Sequence, residues 1–126
     1  MQAASSPGEP LKHLARGRHI PGTMNKTEAA FADRLRLLQY GGEVLWWCFE
    51  EITLKLGPDC RYTPDYAAMA KDGILDLYEV KAHKFNAEES RAKFKVAAGK
   101  FPFRFWWAEQ QKDKSWLITT PFAEDR

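Results

Sequence analysis

Pro64-Asp65 is followed fourteen residues later by Glu79-Val80-Lys81, which sets two carboxylates and one amine on segments that both read as extended. Side chains alternate along a strand, so Glu79 and Lys81 project to one side and Val80 to the other. Carboxylate oxygens suit a hard divalent cation such as Mg²⁺ or Mn²⁺, which keeps several waters and accepts phosphate oxygens. The amine adds positive charge where a phosphoryl transition state develops negative charge. Together these groups are the makings of metal-dependent phosphodiester hydrolysis. The same residue types also decorate strand ends as solvated charges, so the surrounding elements must decide between the two readings.

Those elements are legible in outline. RYTPDYAAMA and ILDLYEVKA read as β segments joined by Lys71-Asp72-Gly73, a turn signal in which glycine takes positive φ. The two carboxylates then meet across a hairpin. Pro64 has no N–H for a ladder and marks an edge, bulge or bend, where a side chain is often re-aimed. Upstream, a helix is expected from Lys26 to Tyr40, stopped by Gly41-Gly42. EVLWWCF and ITLKL make the first strand, with a kink or tight turn at Glu50-Glu51; RYTPDYAAM and ILDLYEVKA are the next two. A helix from about Ala87 to Lys100 ends before Pro102, and FRFWWAE and SWLITT close the chain as a hairpin. Periodicity alone indicates α/β or α+β.

The chain resembles the PD-(D/E)XK nuclease superfamily, on Pro64-Asp65 and Glu79-Val80-Lys81. More narrowly, MNKTEAAFADRL, WWCFEEITLKL, YTPDY, LYEVKA and SRAKFKVAAGKFPFRF look like small phage and prophage proteins of that superfamily, over residues 24 to about 108. The resemblance implies an α/β fold with a mixed sheet, an αβββαβ restriction-endonuclease-like core with an added C-terminal strand. It also implies divalent-metal-dependent cleavage of DNA, with Mg²⁺ or Mn²⁺ as cofactor. Asp65 and Glu79 are then metal ligands, and Lys81 positions the water or stabilises the transition state. An acidic residue on the first core helix commonly completes such a site, and the matching position is Glu28. Branched or junction DNA in phage recombination or packaging is the implied substrate setting.

Glu28 carries two readings. Asn25-Lys26-Thr27-Glu28 is a capping box, with Glu28 at N3 reaching back to the N-cap backbone. Glu28 also heads a stripe with Phe31, Leu35 and Leu38 at helical spacing, which points it toward the sheet and the other acids. Residues 81–104 contain seven Lys and Arg against Glu88 and Glu89, an excess of five that begins at the proposed site. Lys84, Arg91 and Lys95 are the candidate DNA contacts there. Arg91 and Lys95 share a helix face at i and i+4, where like charges repel unless an anion bridges them. Otherwise this is an ordinary solvated face, with Asn86 as cap and Phe94, Ala97, Ala98 and Phe101 as the buried stripe.

A chain of 126 residues with 44% hydrophobic and 13% aromatic content supports one folded domain, assigned to residues 23–126. Residues 1–22 lack a sustained apolar period and read as a flexible basic arm. The net charge of +2 does not itself indicate a nucleic-acid partner. No secretory signal or membrane-length apolar run is evident, so a cytoplasmic protein, phage- or prophage-encoded, is expected. Cys48 and Cys60 lack metal-ligand spacing and read as reduced and structural. His83 either touches substrate or a bound water, or simply ends a strand. Of the five tryptophans, one of each adjacent pair is expected in the core. Nucleotide-binding glycine loops and zinc motifs are absent. Cutting two strands with so small a domain suggests a homodimer. The rival class is a non-catalytic DNA- or protein-binding module that retains the nuclease fold.

Overall fold

The computed structural model describes residues 22–83 and 88–121. Almost all of the basic arm assigned to residues 1–22 therefore lies outside the described residues, as do Lys84 and Asn86. The first helix, α1, runs Lys26–Tyr40, as its punctuation predicts. Asn25 accepts the Glu28 backbone N–H and the Glu28 carboxylate accepts the Asn25 N–H, so both arms of the capping box form. At the other end Gly42 takes φ +87°, the left-handed conformation that lets the chain leave the helix without a Cβ clash.

Seven strands and a second helix follow: β1 Val44–Phe49, β2 Leu54–Gly57, β3 Cys60–Tyr62, β4 Tyr66–Ala70, β5 Leu75–Lys81, α2 Glu88–Lys100, β6 Arg104–Gln110 and β7 Trp116–Thr119. Five strands form one mixed sheet in the order β1-β4-β5-β6-β7, with β5 and β6 parallel and the other neighbours antiparallel. The parallel pair needs a crossover, and α2 supplies it. The fold is thus mixed α/β, as expected, with the added C-terminal strand at one edge.

The strand boundaries differ from expectation in two places. EVLWWCF and ITLKL are not one kinked strand, and RYTPDYAAM is not one strand. Glu50 adopts φ 53° immediately after β1, while its N–H still bonds the Asp65 carbonyl at 2.9 Å. The backbone swings out of the sheet there, and β2 pairs with β3 as a separate antiparallel hairpin. Thr63-Pro64-Asp65 then carries the chain from that hairpin back into β4. Proline's missing donor makes this the natural break in the ladder.

Apolar side chains pack on both faces of the sheet. On one face Phe31, Ala32 and Leu35 of α1 meet Val44, Tyr66, Ala68, Val80 and Ala108. On the other, Phe94 and Ala97 of α2 meet Leu54 and Tyr62 of the hairpin and Leu77, Phe105 and Trp107 of the sheet. Because β5 is covered on both sides, acidic groups at its end are drawn into a largely dry setting. The tryptophan pairs divide: Trp107 is buried, Trp106 bonds Asp76, and Trp46 is exposed.

Candidate active site

One end of the sheet gathers the acids. Four connections meet there: the start of α1 with Glu28, the exit of β1 with Glu50, the entry to β4 with Asp65, and the last turn of pleat in β5 with Glu79 and Lys81. Glu28, Asp65 and Glu79 are all buried. One carboxylate oxygen from each of Glu28, Glu50 and Asp65 lies within 4.8 Å of the others. An octahedral cation with oxygens at about 2.1 Å separates its ligands by roughly 3–4 Å, so a small inward movement would let all three reach one ion. All the donors are hard oxygens, which fits Mg²⁺ or Mn²⁺ rather than a soft metal.

Tyrosines hold this geometry. Tyr66 donates to the Glu28 carbonyl at 2.6 Å and thereby ties the first turn of α1 to the strand that begins beside Asp65. Phe31, Trp47 and Phe49 pack around its ring. Tyr62, the last residue of β3, donates a short hydrogen bond to Glu79 Oε1. The other Glu79 oxygen pairs with Lys81 Nζ at 3.2 Å, as expected for residues two apart on one strand face. Asp65 Oδ2 accepts the Val80 N–H at 2.8 Å across the junction with β5.

Electrostatically the cluster is strained. Neither Glu28 nor Asp65 has an ion-pair partner among the described residues. Burial, and next the nearby Glu79 charge, push the Asp65 carboxyl from 3.8 up to about 8; the Val80 N–H opposes them. Glu79 is also raised, mainly by burial, with Lys81 and Tyr62 holding it back. Burial and the neighbouring Glu79 carboxylate push the Tyr62 hydroxyl well above its usual range, so it stays a donor. The Glu50 backbone is in a conformation that a non-glycine residue enters rarely, and such outliers concentrate at functional sites.

The predicted positions therefore converge, with additions. Glu28, Asp65, Glu79 and Lys81 all reach this end of the sheet. Glu28 serves as N3 cap and stands in the acidic cluster at once, because a carboxylate has two oxygens; the two readings do not compete. Asp65 and Glu79 differ in kind: Asp65 belongs to the close trio, whereas both Glu79 oxygens are engaged by Tyr62 and Lys81. Glu50 and Tyr62 were not singled out by sequence. Two adjacent acids interrupting an apolar strand pattern at Glu50-Glu51 were the available signal for the first. On α2, the Arg91 guanidinium lies 4.2 Å from the Trp107 ring centroid, and Lys81 Nζ approaches the same ring at 6.0 Å. Arg91 is thereby held on the flank of the site, with Lys95 half-buried one turn on. His83 Nδ1 faces Glu109 at 3.5 Å, close enough for an ion pair if protonated but without a formed hydrogen bond. Cys48 and Cys60 are both free thiols, and burial raises Cys48 to about 11.

No protein-family model and no curated protein matches the chain. Among solved structures, Hjc of Archaeoglobus fulgidus, a Holliday junction resolvase from an archaeal hyperthermophile, is similar with a TM-score of 0.52 at 17% identity. The match covers 77% of this chain and 74% of Hjc. At that identity the likeness establishes a shared fold, that of a mixed sheet between two helices. Among the described residues no helix is long and apolar enough to cross a membrane.

Proposed function

We propose that the chain is a divalent-metal-dependent endodeoxyribonuclease of the PD-(D/E)XK type. The observation that carries this reading is the approach of Glu28, Glu50 and Asp65 to within 4.8 Å, beside a Glu79–Lys81 pair on the next strand. Four carboxylates at one partly dry sheet end are costly unless a cation joins them. Glu28, Glu50 and Asp65 would hold that cation, and Mg²⁺ or Mn²⁺ matches their chemistry. When bound, it supplies Lewis acidity toward the scissile phosphate and the attacking water.

The chain's own groups do the rest. Glu79, fixed by Tyr62, orients the Lys81 ammonium toward the position where phosphoryl charge develops. Arg91, held over the Trp107 ring, adds a second cation on the flank, and with Lys84 and Lys95 it would receive the backbone of the substrate. DNA is the proposed partner, and a homodimer is the simplest way for one small site to serve two strands. Hjc is a resolvase, which together with the sequence resemblance makes branched DNA the finer proposal, with phage recombination or packaging as its setting. A fold hosts many functions, so the substrate must be tested directly.

The test is a panel of labelled linear, nicked, flapped and four-way DNA substrates incubated with Mg²⁺ or with EDTA. Mg²⁺-dependent cleavage is expected, fastest on the four-way junction, and slowed roughly 10²–10³-fold by Glu28→Gln with little loss of thermal stability, since glutamine keeps the N3 cap. DNA binding without cleavage under any metal would return the chain to the class of non-catalytic binding modules.

A further inference from the structure

The hairpin that leaves the sheet at Glu50 carries an arrangement that its own stability does not explain. Leu54 and Tyr62 are cross-strand partners and turn inward to the core beneath α2. By strand alternation the neighbouring pairs face outward. One is Lys55 opposite Arg61, both exposed. The other brings Thr53 Oγ1 within 2.7 Å of Thr63 Oγ1. Like charges directly opposite each other on an antiparallel pair are destabilising. Neither Lys55 nor Arg61 has an ion-pair partner among the described residues, and Asp59 at the hairpin tip pairs with neither. Lys93 of α2 donates to the Arg61 carbonyl at 3.3 Å and brings a third positive charge to the same strand.

Position gives the arrangement its meaning. The chain runs from Arg61 through Tyr62, which ends β3 and bonds Glu79, and then through Thr63 and Pro64 to Asp65. The outward face therefore forms a track: two cations, then two hydroxyls, then the acidic cluster. Four residues of extended chain reach roughly 13 Å, several times the rise of about 3.4 Å of helix axis per phosphate on one strand of a duplex, so the track is long enough to meet more than one phosphate. Cations and hydroxyls are the groups that contact phosphate oxygens and set register without reading bases.

We infer that the outer face of the β2–β3 hairpin, Lys55 and Arg61 with Thr53 and Thr63, is a phosphodiester-backbone contact that holds the nucleic-acid strand flanking the cleavage site. The inference rests on the nuclease reading above, and it adds a binding surface separate from the α2 face. An anion shared between Lys55 and Arg61 converts a repulsive pair into a bidentate grip.

The experiment measures binding of a fluorescein-labelled duplex and a labelled four-way junction in EDTA, across a salt series, by anisotropy. Lys55→Gln combined with Arg61→Gln should weaken binding by about an order of magnitude and lower the slope of log K against log salt by about two, one unit per lost contact. Its melting temperature should hold or rise, since the repulsion is gone. The charge-preserving pair Lys55→Arg with Arg61→Lys should keep the wild-type slope. An unchanged slope in the Gln pair, with wild type still cleaving DNA, overturns the hairpin contact alone. A reduced slope in a protein that cuts nothing keeps the contact and removes the nuclease reading. Wild type that binds no DNA overturns both. Loss of binding to polyglutamate with DNA binding intact would reassign the face to an acidic protein partner and overturn the inference.

Discussion

At the end of the sheet where β4 turns into β5, Arg104 reaches two aspartates. Its Nε and Nη2 bond the two oxygens of Asp76 at 2.6 and 3.0 Å, its Nη1 bonds Asp72 at 3.0 Å, and Trp106 Nε1 adds a further donor to Asp76. At the opposite end Asp65 receives one backbone N–H, stands near Glu28, Glu50 and Glu79, and has no ion-pair partner among the described residues. Both ends are acidic, and they behave differently. Asp72 is held below its usual range by the Ile74 N–H and by Arg104, whereas burial and Glu79 lift Asp65 to about 8. A network whose every member is satisfied fixes structure; one left short of positive charge must take up a proton or a cation.

The sharpest way to break this contrast is to neutralise one carboxylate at the site. Asp65→Asn should slow Mg²⁺-dependent cleavage by about 10²–10³-fold or more, because an amide is a poor ligand for a hard cation. The apo melting temperature should hold or rise, since a crowded buried carboxylate has been removed. Arg104→Ala should do the reverse. It leaves the buried Asp76 carboxylate with Trp106 alone, at a cost of about 1–3 kcal/mol, seen as a melting temperature lower by roughly 5–15 °C, while the folded variant still cleaves. Equal thermal losses in both variants would mean that the two ends do not differ as described.

A smaller effect follows from pH. Folded apo protein keeps a proton on Asp65 up to about pH 8, whereas the unfolded chain releases it near the ordinary 3.8. Between those values the native state binds more protons than the unfolded state, so its stability must fall as pH rises. The contribution is complete below about pH 4 and gone above about pH 8, with a slope of at most about 1.4 kcal/mol per pH unit from this group. Urea titrations of metal-free protein from pH 5 to 8.5 should show the decline, and Asp65→Asn should flatten it. A rise in apo stability over that window in the wild type, removed by the same substitution, would reverse the assignment.

Part of this contrast is legible in the sequence. The Asn25–Glu28 box and Gly41-Gly42 bound α1 because caps are local chemistry. Lys71-Asp72-Gly73 marked the β4–β5 turn, where Gly73 takes φ +84°, and strand alternation put Glu79 beside Lys81. The detached hairpin is not legible there, although Gly57-Pro58-Asp59 is a turn signal, because ITLKL and RYTPDYAAM each look like continuous strand. What separates them is the left-handed Glu50, a conformation that no glycine announces. Its cause is tertiary, since the Glu50 N–H bonds the Asp65 carbonyl and its carboxylate bonds the Gly22 N–H. Tyr62 was equally silent, because its partner Glu79 lies seventeen residues away. Arg104 stood in the sequence only as one of many basic residues, and its two aspartates became visible with the parallel pairing of β5 and β6.

If the acidic end of the sheet is a divalent-cation site on which cleavage depends, the protein must bind such an ion in solution without DNA. Calorimetric titration of the metal-free protein with Mn²⁺ at pH 7.5, in two buffers of different ionisation enthalpy, tests it most directly. Wild type should bind saturably and release a proton to the buffer as the cation displaces it from Asp65, and Asp65→Asn should lose both. Absence of binding in wild type, or equal binding and no change in proton release in Asp65→Asn, would contradict it.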